Sequence, residues 1–67
     1  MRKSKVEELF SLINSIEDKD LRDDVRRIVS YYLFGFLFFL NINVERAYQE
    51  LENAINFVRG ILKEEVL

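Results

Sequence analysis

The sequence predicts an all-α fold: a small three-helix unit, made of a short first helix and a long antiparallel helical hairpin, completed by dimerisation. Three observations carry this. No proline occurs in the 67 residues, so no segment is barred from helix by a missing N–H. Apolar residues recur at steps of three and four in three successive stretches, the period of a helix with one buried face. Short polar joints built from Ser, Asp and Asn separate the stretches, and these are the residue types that cap helices. A chain of this length is expected to form a single domain over residues 1–67.

The first helix is expected over residues 4–16. Ser4-Lys5-Val6-Glu7 has the spacing of a capping box, in which the hydroxyl accepts from a first-turn N–H and the glutamate reaches back. Val6, Leu9, Phe10, Ile13 and Ile16 then follow along one face, with Leu12 beside them; Glu7, Glu8, Ser11, Asn14 and Ser15 hold the other. Glu17-Asp18-Lys19-Asp20 is the joint. Asp18 or Asp20 suits the start of the second helix, where an acid meets the positive end of the dipole.

The second helix is expected over residues 20–40, with Leu21, Val25, Ile28, Val29, Tyr32, Phe36 and Phe39 as its main stripe and Leu40 at the end of it. Asp23 and Arg27 are spaced as an i,i+4 pair, worth ~0.2–0.5 kcal/mol. Asn41-Ile42-Asn43 ends the helix, because asparagine tolerates the left-handed conformation of a helix stop and Asn43 suits the next N-cap. A third helix is expected over residues 44–64. Val44, Ala47, Tyr48, Leu51, Ala54, Ile55, Val58, Ile61 and Leu62 share its apolar face, and Phe57 falls outside it. So short a connection makes the last two helices antiparallel.

Residues 30–41, SYYLFGFLFFLN, place six aromatic residues in twelve positions. Aromatic residues also favour strands, but strict alternation fails, since Leu33, Leu37 and Phe39 fill the positions between Tyr32, Phe34, Phe36 and Phe38. On a helical wheel this stretch has no polar arc, so it is surrounded by protein or by lipid. Ile28 to Leu40 is thirteen residues, and seventeen when extended to Val44, against the ~20 that a membrane span needs. Arg26 and Arg27 before it resemble a positive-inside flank. Helices one and three present apolar faces that require a partner, which favours burial in protein. The alternative is a small membrane-associated protein that inserts residues 28–44.

Two neighbouring helices cover the main stripe. A second stripe then remains, formed by Tyr31, Phe34 and Phe38 with Leu37 beside them, on a side that carries Asp20, Asp23, Asp24 and Arg27 one turn earlier. A contiguous apolar patch of this kind marks an association site. Tyr31, Phe34, Leu37 and Phe38 are therefore expected to form the interface of a two-fold homodimer. The competing expectation is that helices one and three wrap far enough round to bury these residues within one chain.

No chemistry is written into the remaining residues. Without Cys or His there is no disulfide, thiolate ligand or imidazole base. An Asp23/Asp24 or Glu64/Glu65 pair lacks the Glu-x-x-His partner of helical metal sites, and both lie on polar faces. The expectation is a protein that is not an enzyme, with no catalytic, cofactor-binding or metal-ligating residue. Ten Lys and Arg against twelve Asp and Glu, a net charge of −2, leave no basic excess to neutralise phosphates, so nucleic acid is not an expected partner. Arg22, Arg26 and Arg27 are interleaved with Asp20, Asp23 and Asp24 and read as a solvated, salt-laced face.

Ile28-Val29-Ser30-Tyr31-Tyr32 has the spacing of peptides that dock on sliding clamps, but Val25 stands where their leading Gln belongs. Gly35 costs ~1 kcal/mol relative to Ala and fits a close helix approach, a bend, or no role at all. Ala47 and Ala54 let helix three lie close to a neighbour, or serve as good helix formers. The basic start, MRKSK, is not followed by the apolar run of a signal peptide, so a cytoplasmic location is expected.

Tyr31 to Ala54, YYLFGFLFFLNINVERAYQELENA, resembles a family of short archaeal helical domains of unknown function. Those domains show a tyrosine pair, an aromatic-rich helix, a tight turn and an Ala-aromatic helix. Here the family's Gly-Asp turn is replaced by Asn41-Ile42-Asn43, and its acidic residue soon after the tyrosine pair is missing. The resemblance implies helices and an archaeal source, and carries over no functional residue. The function expected from the residues themselves is a non-enzymatic protein–protein interaction module that self-associates through its aromatic helix face.

Overall fold

The protein is described by a computed structural model that covers residues 4–66, the Val66 side chain excepted. Three helices follow in order: α1, Lys5–Asn14; α2, Lys19–Leu40; and α3, Val44–Val66. Among the described residues there is no strand. α2 and α3 pack as an antiparallel hairpin, and α1 lies against it, more on α3 than on α2. The first three residues of the basic N-terminal run lie outside the described residues.

The caps explain where the helices begin. Ser4 sits in extended conformation and its Oγ accepts from the Glu7 N–H at 3.1 Å, the first half of the expected capping box. The Asp18 carboxylate accepts from the N–H groups of Asp20 and Leu21 at 2.9 and 3.2 Å and starts α2. Asn43 Oδ1 accepts from the Arg46 N–H at 3.2 Å and starts α3. At the end of α2 the expectation of a left-handed asparagine fails. Asn41 stays right-handed (φ −95°, ψ −2°), and the chain turns because the N–H groups of Ile42 and Asn43 both donate to the Phe39 carbonyl, at 2.9 and 2.7 Å.

α1 is shorter than the expected 4–16. It ends at Asn14, where Ser15 donates from both its N–H and its hydroxyl back to the carbonyl of Ser11. Ile16 lies beyond the helix yet is fully buried. The Asp23–Arg27 pairing is also replaced. Arg26 bonds Asp23 at 3.2 Å and Arg27 approaches Asp24 at 3.8 Å, both at i,i+3.

The core consists of Leu9, Ile13 and Ile16 from the first segment, Val25 and Val29 from α2, and Leu51, Ala54, Ile55 and Val58 from α3. α1 runs parallel to α3: Lys5 pairs with Glu52, and Glu8 with Arg59. The end of α1 and the residues after it are tied to α2, with Arg22 donating to the Ile16 carbonyl at 3.0 Å and Arg26 to Asn14 Oδ1 at 3.1 Å. The Arg22 Nε, buried by this arrangement, has no hydrogen-bond partner among the described residues. The hydrogen bond and charge of Glu52 hold the Lys5 ammonium above its ordinary pKa, and Lys5 in turn lowers that of Glu52.

Helix length decides what this core can cover. Ten residues make about 15 Å of helix, whereas the 22 and 23 residues of α2 and α3 make about 33 Å. α1 therefore reaches only the half of the hairpin near the α2 start. The Cα envelope of 38 × 28 × 15 Å is one helix long and thin in one direction. Leu40, Val44 and Tyr48, expected in buried stripes, are exposed as a result; Phe10 on α1 and Ile28 on α2, also expected to be buried, are exposed on the outer sides of their helices. Phe57 departs the other way. Expected outside the apolar face, it is half-buried, its ring 6.2 Å from that of Tyr32.

Candidate association surface

The four residues singled out in the sequence lie together on the outer side of α2. Tyr31, Phe34, Leu37 and Phe38 are 69, 70, 61 and 65% exposed. Steps of three and four along one helix stack them as neighbours over about two turns. The expectation that α1 and α3 wrap round and bury them is overturned, because α1 ends too low and α3 occupies one side of α2 only. Their partners in the stripe behave differently. Tyr32, Leu33 and Phe36 are half-buried against the core, and Phe36 meets Tyr48 edge to face at 5.9 Å.

The exposed apolar surface is wider than those four residues. Ile28 borders it toward the α2 start, while Leu40, Ile42 and Val44 continue it to the hairpin tip. Tyr48 is half exposed on α3. The apolar stripes of α2 and α3 look alike along their full length, and only the shortness of α1 beside a hairpin twice as long leaves Leu40, Val44 and Tyr48 open. Ile42 belongs to the joint, and Ile28 faces outward between the buried Val25 and Val29.

The polar groups near the surface are few. Arg46 places its guanidinium 5.3 Å from the centroid of the Phe39 ring, an arrangement in which the ring face attracts the cation. The same side chain stands 3.6 Å from Glu50. Glu50 lies across Gly35: a Cβ built there would sit 3.3 Å from Glu50 Oε2. The glycine thus gives α3 room to lay a carboxylate against α2. Gly60, by contrast, faces open space.

The other charged groups weighed in the sequence are engaged in structure. Arg22, Arg26 and Arg27 donate to or pair with Ile16, Asp23, Asn14 and Asp24. Glu65 is not paired with Glu64 around a metal. Its two oxygens accept from the N–H groups of Glu17 and Asp18, each at 3.1 Å, so the end of α3 caps the start of α2. Among the described residues no three acidic, His or Cys side chains gather into a group that could hold a metal ion. Nor is any helix among them long and apolar enough to cross a membrane.

In comparison with known proteins, the chain matches no family model, no curated protein and no solved structure. None of the three comparisons bears on the resemblance carried by residues 31–54.

Proposed function

We propose that the chain is a non-enzymatic interaction module, cytoplasmic in location, that pairs with a second copy of itself through Tyr31, Phe34, Leu37 and Phe38. The carrying observation is the exposure of these four adjacent apolar side chains, each more than three-fifths open to solvent. A ring side chain carries ~150–250 Å², so at this exposure Tyr31, Phe34 and Phe38 leave roughly 300–500 Å² uncovered. That alone matches the largest patch of a typical monomer, ~300–600 Å². With Leu37, Ile28, Leu40, Ile42 and Val44 around it, the surface approaches the ~800 Å² per partner of a standard interface.

A second copy suits this surface for two reasons. An apolar patch without charges is complementary to itself, as a two-fold contact requires. A chain below ~70–80 residues also draws only ~3–5 kcal/mol from its own core, and oligomerisation is a common supplement.

Charge substitutions test the reading. Phe34→Glu with Phe38→Glu should give a helical monomer by circular dichroism and sedimentation, since neither ring belongs to the core cluster. Phe36→Glu should instead unfold the chain, because a charge there must enter the contact with Tyr48 and the core. A double variant that unfolds as badly as Phe36→Glu would assign the face to the monomer. Binding of the wild-type chain to lipid vesicles in place of self-association would favour insertion of residues 28–44.

A further inference from the structure

The hollow beside the aromatic face has a different chemistry from the face itself. Ile28, Tyr31, Tyr32 and Glu50 line a space of about 350 Å³. Three of its walls are apolar or aromatic and the fourth is a carboxylate. The Glu50 side chain is only 19% exposed, so its charge acts partly out of water, where it attracts a cation more strongly than on an open surface. Its charged partner among the described residues, Arg46, stands 3.6 Å away. That is longer than a hydrogen bond, so Arg46 compensates it through space and leaves its lone pairs open to a closer donor.

We propose that this hollow binds a cationic nitrogen group, an alkylammonium or a guanidinium, seated between the Glu50 carboxylate and the Tyr31 and Tyr32 rings. The carboxylate supplies a charge-assisted hydrogen bond, the ring faces attract the cation, and Ile28 packs on the carbon chain that carries it. Gly35 is part of the construction. A side chain at that position would crowd the carboxylate, which needs its place against α2 to face the tyrosines. Tyr31 belongs both to the hollow and to the association face, whereas Glu50 and Tyr32 lie outside that face; the inference does not rest on self-association, and a second copy would compete with the ligand for Tyr31.

The same chemistry has two sources, a free polyamine or a basic side chain of a polypeptide. Putrescine and N-acetyl-arginine methylamide serve as separate probes, titrated into ¹⁵N-labelled full-length chain and followed by amide shifts. The titration is run on the wild type and on Phe34→Ser/Phe38→Ser, so that an associated partner does not mask the hollow. Saturable shifts grouped at Ile28, Tyr31, Tyr32, Gly35 and Glu50 are expected with at least one probe. The stronger of the two identifies the source. Glu50→Gln keeps the shape and removes the charge, and should weaken binding by roughly fivefold to tenfold. The inference is overturned if neither protein shows saturable shifts there with either probe. It is equally overturned if Glu50→Gln binds as tightly as the parent, or if the shifts spread linearly over Asp20, Asp23 and Asp24.

Discussion

The two ends of the helical hairpin are built from similar residues and end in opposite states. Near the α2 start, Val25, Val29, Leu51, Ile55 and Val58 are sealed by Leu9, Ile13 and Ile16 to about 1% exposure. Toward the tip, Phe34, Leu37, Phe38, Ile42 and Val44 are more than half exposed, although that end is richer in aromatic residues. Hydrophobicity of the stripe does not separate them. Two things separate them: Phe34, Leu37 and Phe38 lie on the outer side of α2, and α1 extends along only one half of the hairpin. A helix pair without a third layer leaves part of each apolar circumference in water, and the tip half is that pair.

Substitutions should act unequally on the two halves. The largest difference is expected between Ile55→Ala and Phe34→Ala. Truncating a sealed aliphatic residue costs ~2–5 kcal/mol, which is the whole stability of a chain this small. Removing an exposed ring should shift monomer stability by no more than about 0.5 kcal/mol. Urea denaturation at low micromolar protein checks both. Equal losses would mean that the tip is as much core as the base.

The next effect concerns how the sealed half is closed. Glu65 holds the N–H groups of Glu17 and Asp18 from 48 and 47 residues away, which ties the end of α3 to the start of α2. Glu65→Ala should cost about 0.5–2 kcal/mol, the range of a lost N-cap, and should raise amide exchange first at residues 17–21. Exchange that rises first at the hairpin tip would contradict this. The smallest effects come from the glycines. Gly60→Ala should add up to ~1 kcal/mol through helix propensity alone, since a Cβ there meets nothing. Gly35→Ala should add less, because the end of the flexible Glu50 side chain must move a few tenths of an ångström. Thermal melts of the two variants rank them.

The helices were legible because their causes are local. Ser4, Asp18 and Asn43 cap where their short polar side chains meet free N–H groups, and the 3–4 spacing of Leu9, Ile13, Leu51, Ile55 and Val58 marks the buried faces. The outer stripe of Tyr31, Phe34, Leu37 and Phe38 was legible too, since no polar arc remained on that part of α2. Other features depend on placement in three dimensions and left no local mark. Leu40, Val44 and Tyr48 repeat the apolar pattern but lie beyond the reach of α1, and Ile28, between the buried Val25 and Val29, occupies the outer side of α2. Phe57 breaks the pattern and is covered because Tyr32 of the antiparallel neighbour comes alongside it. The cap from Glu65 joins residues almost fifty positions apart, and the seat of Glu50 on Gly35 depends on how closely α2 and α3 approach. Asn41 could stop the helix without left-handed backbone because two successive N–H groups share the Phe39 carbonyl.

Whether a second copy of the chain covers the open half of the hairpin is read from sedimentation equilibrium of the wild type across a concentration series. The mass should rise toward twice the 8.1 kDa chain by high micromolar concentration. A mass that stays at one chain throughout that range would contradict it.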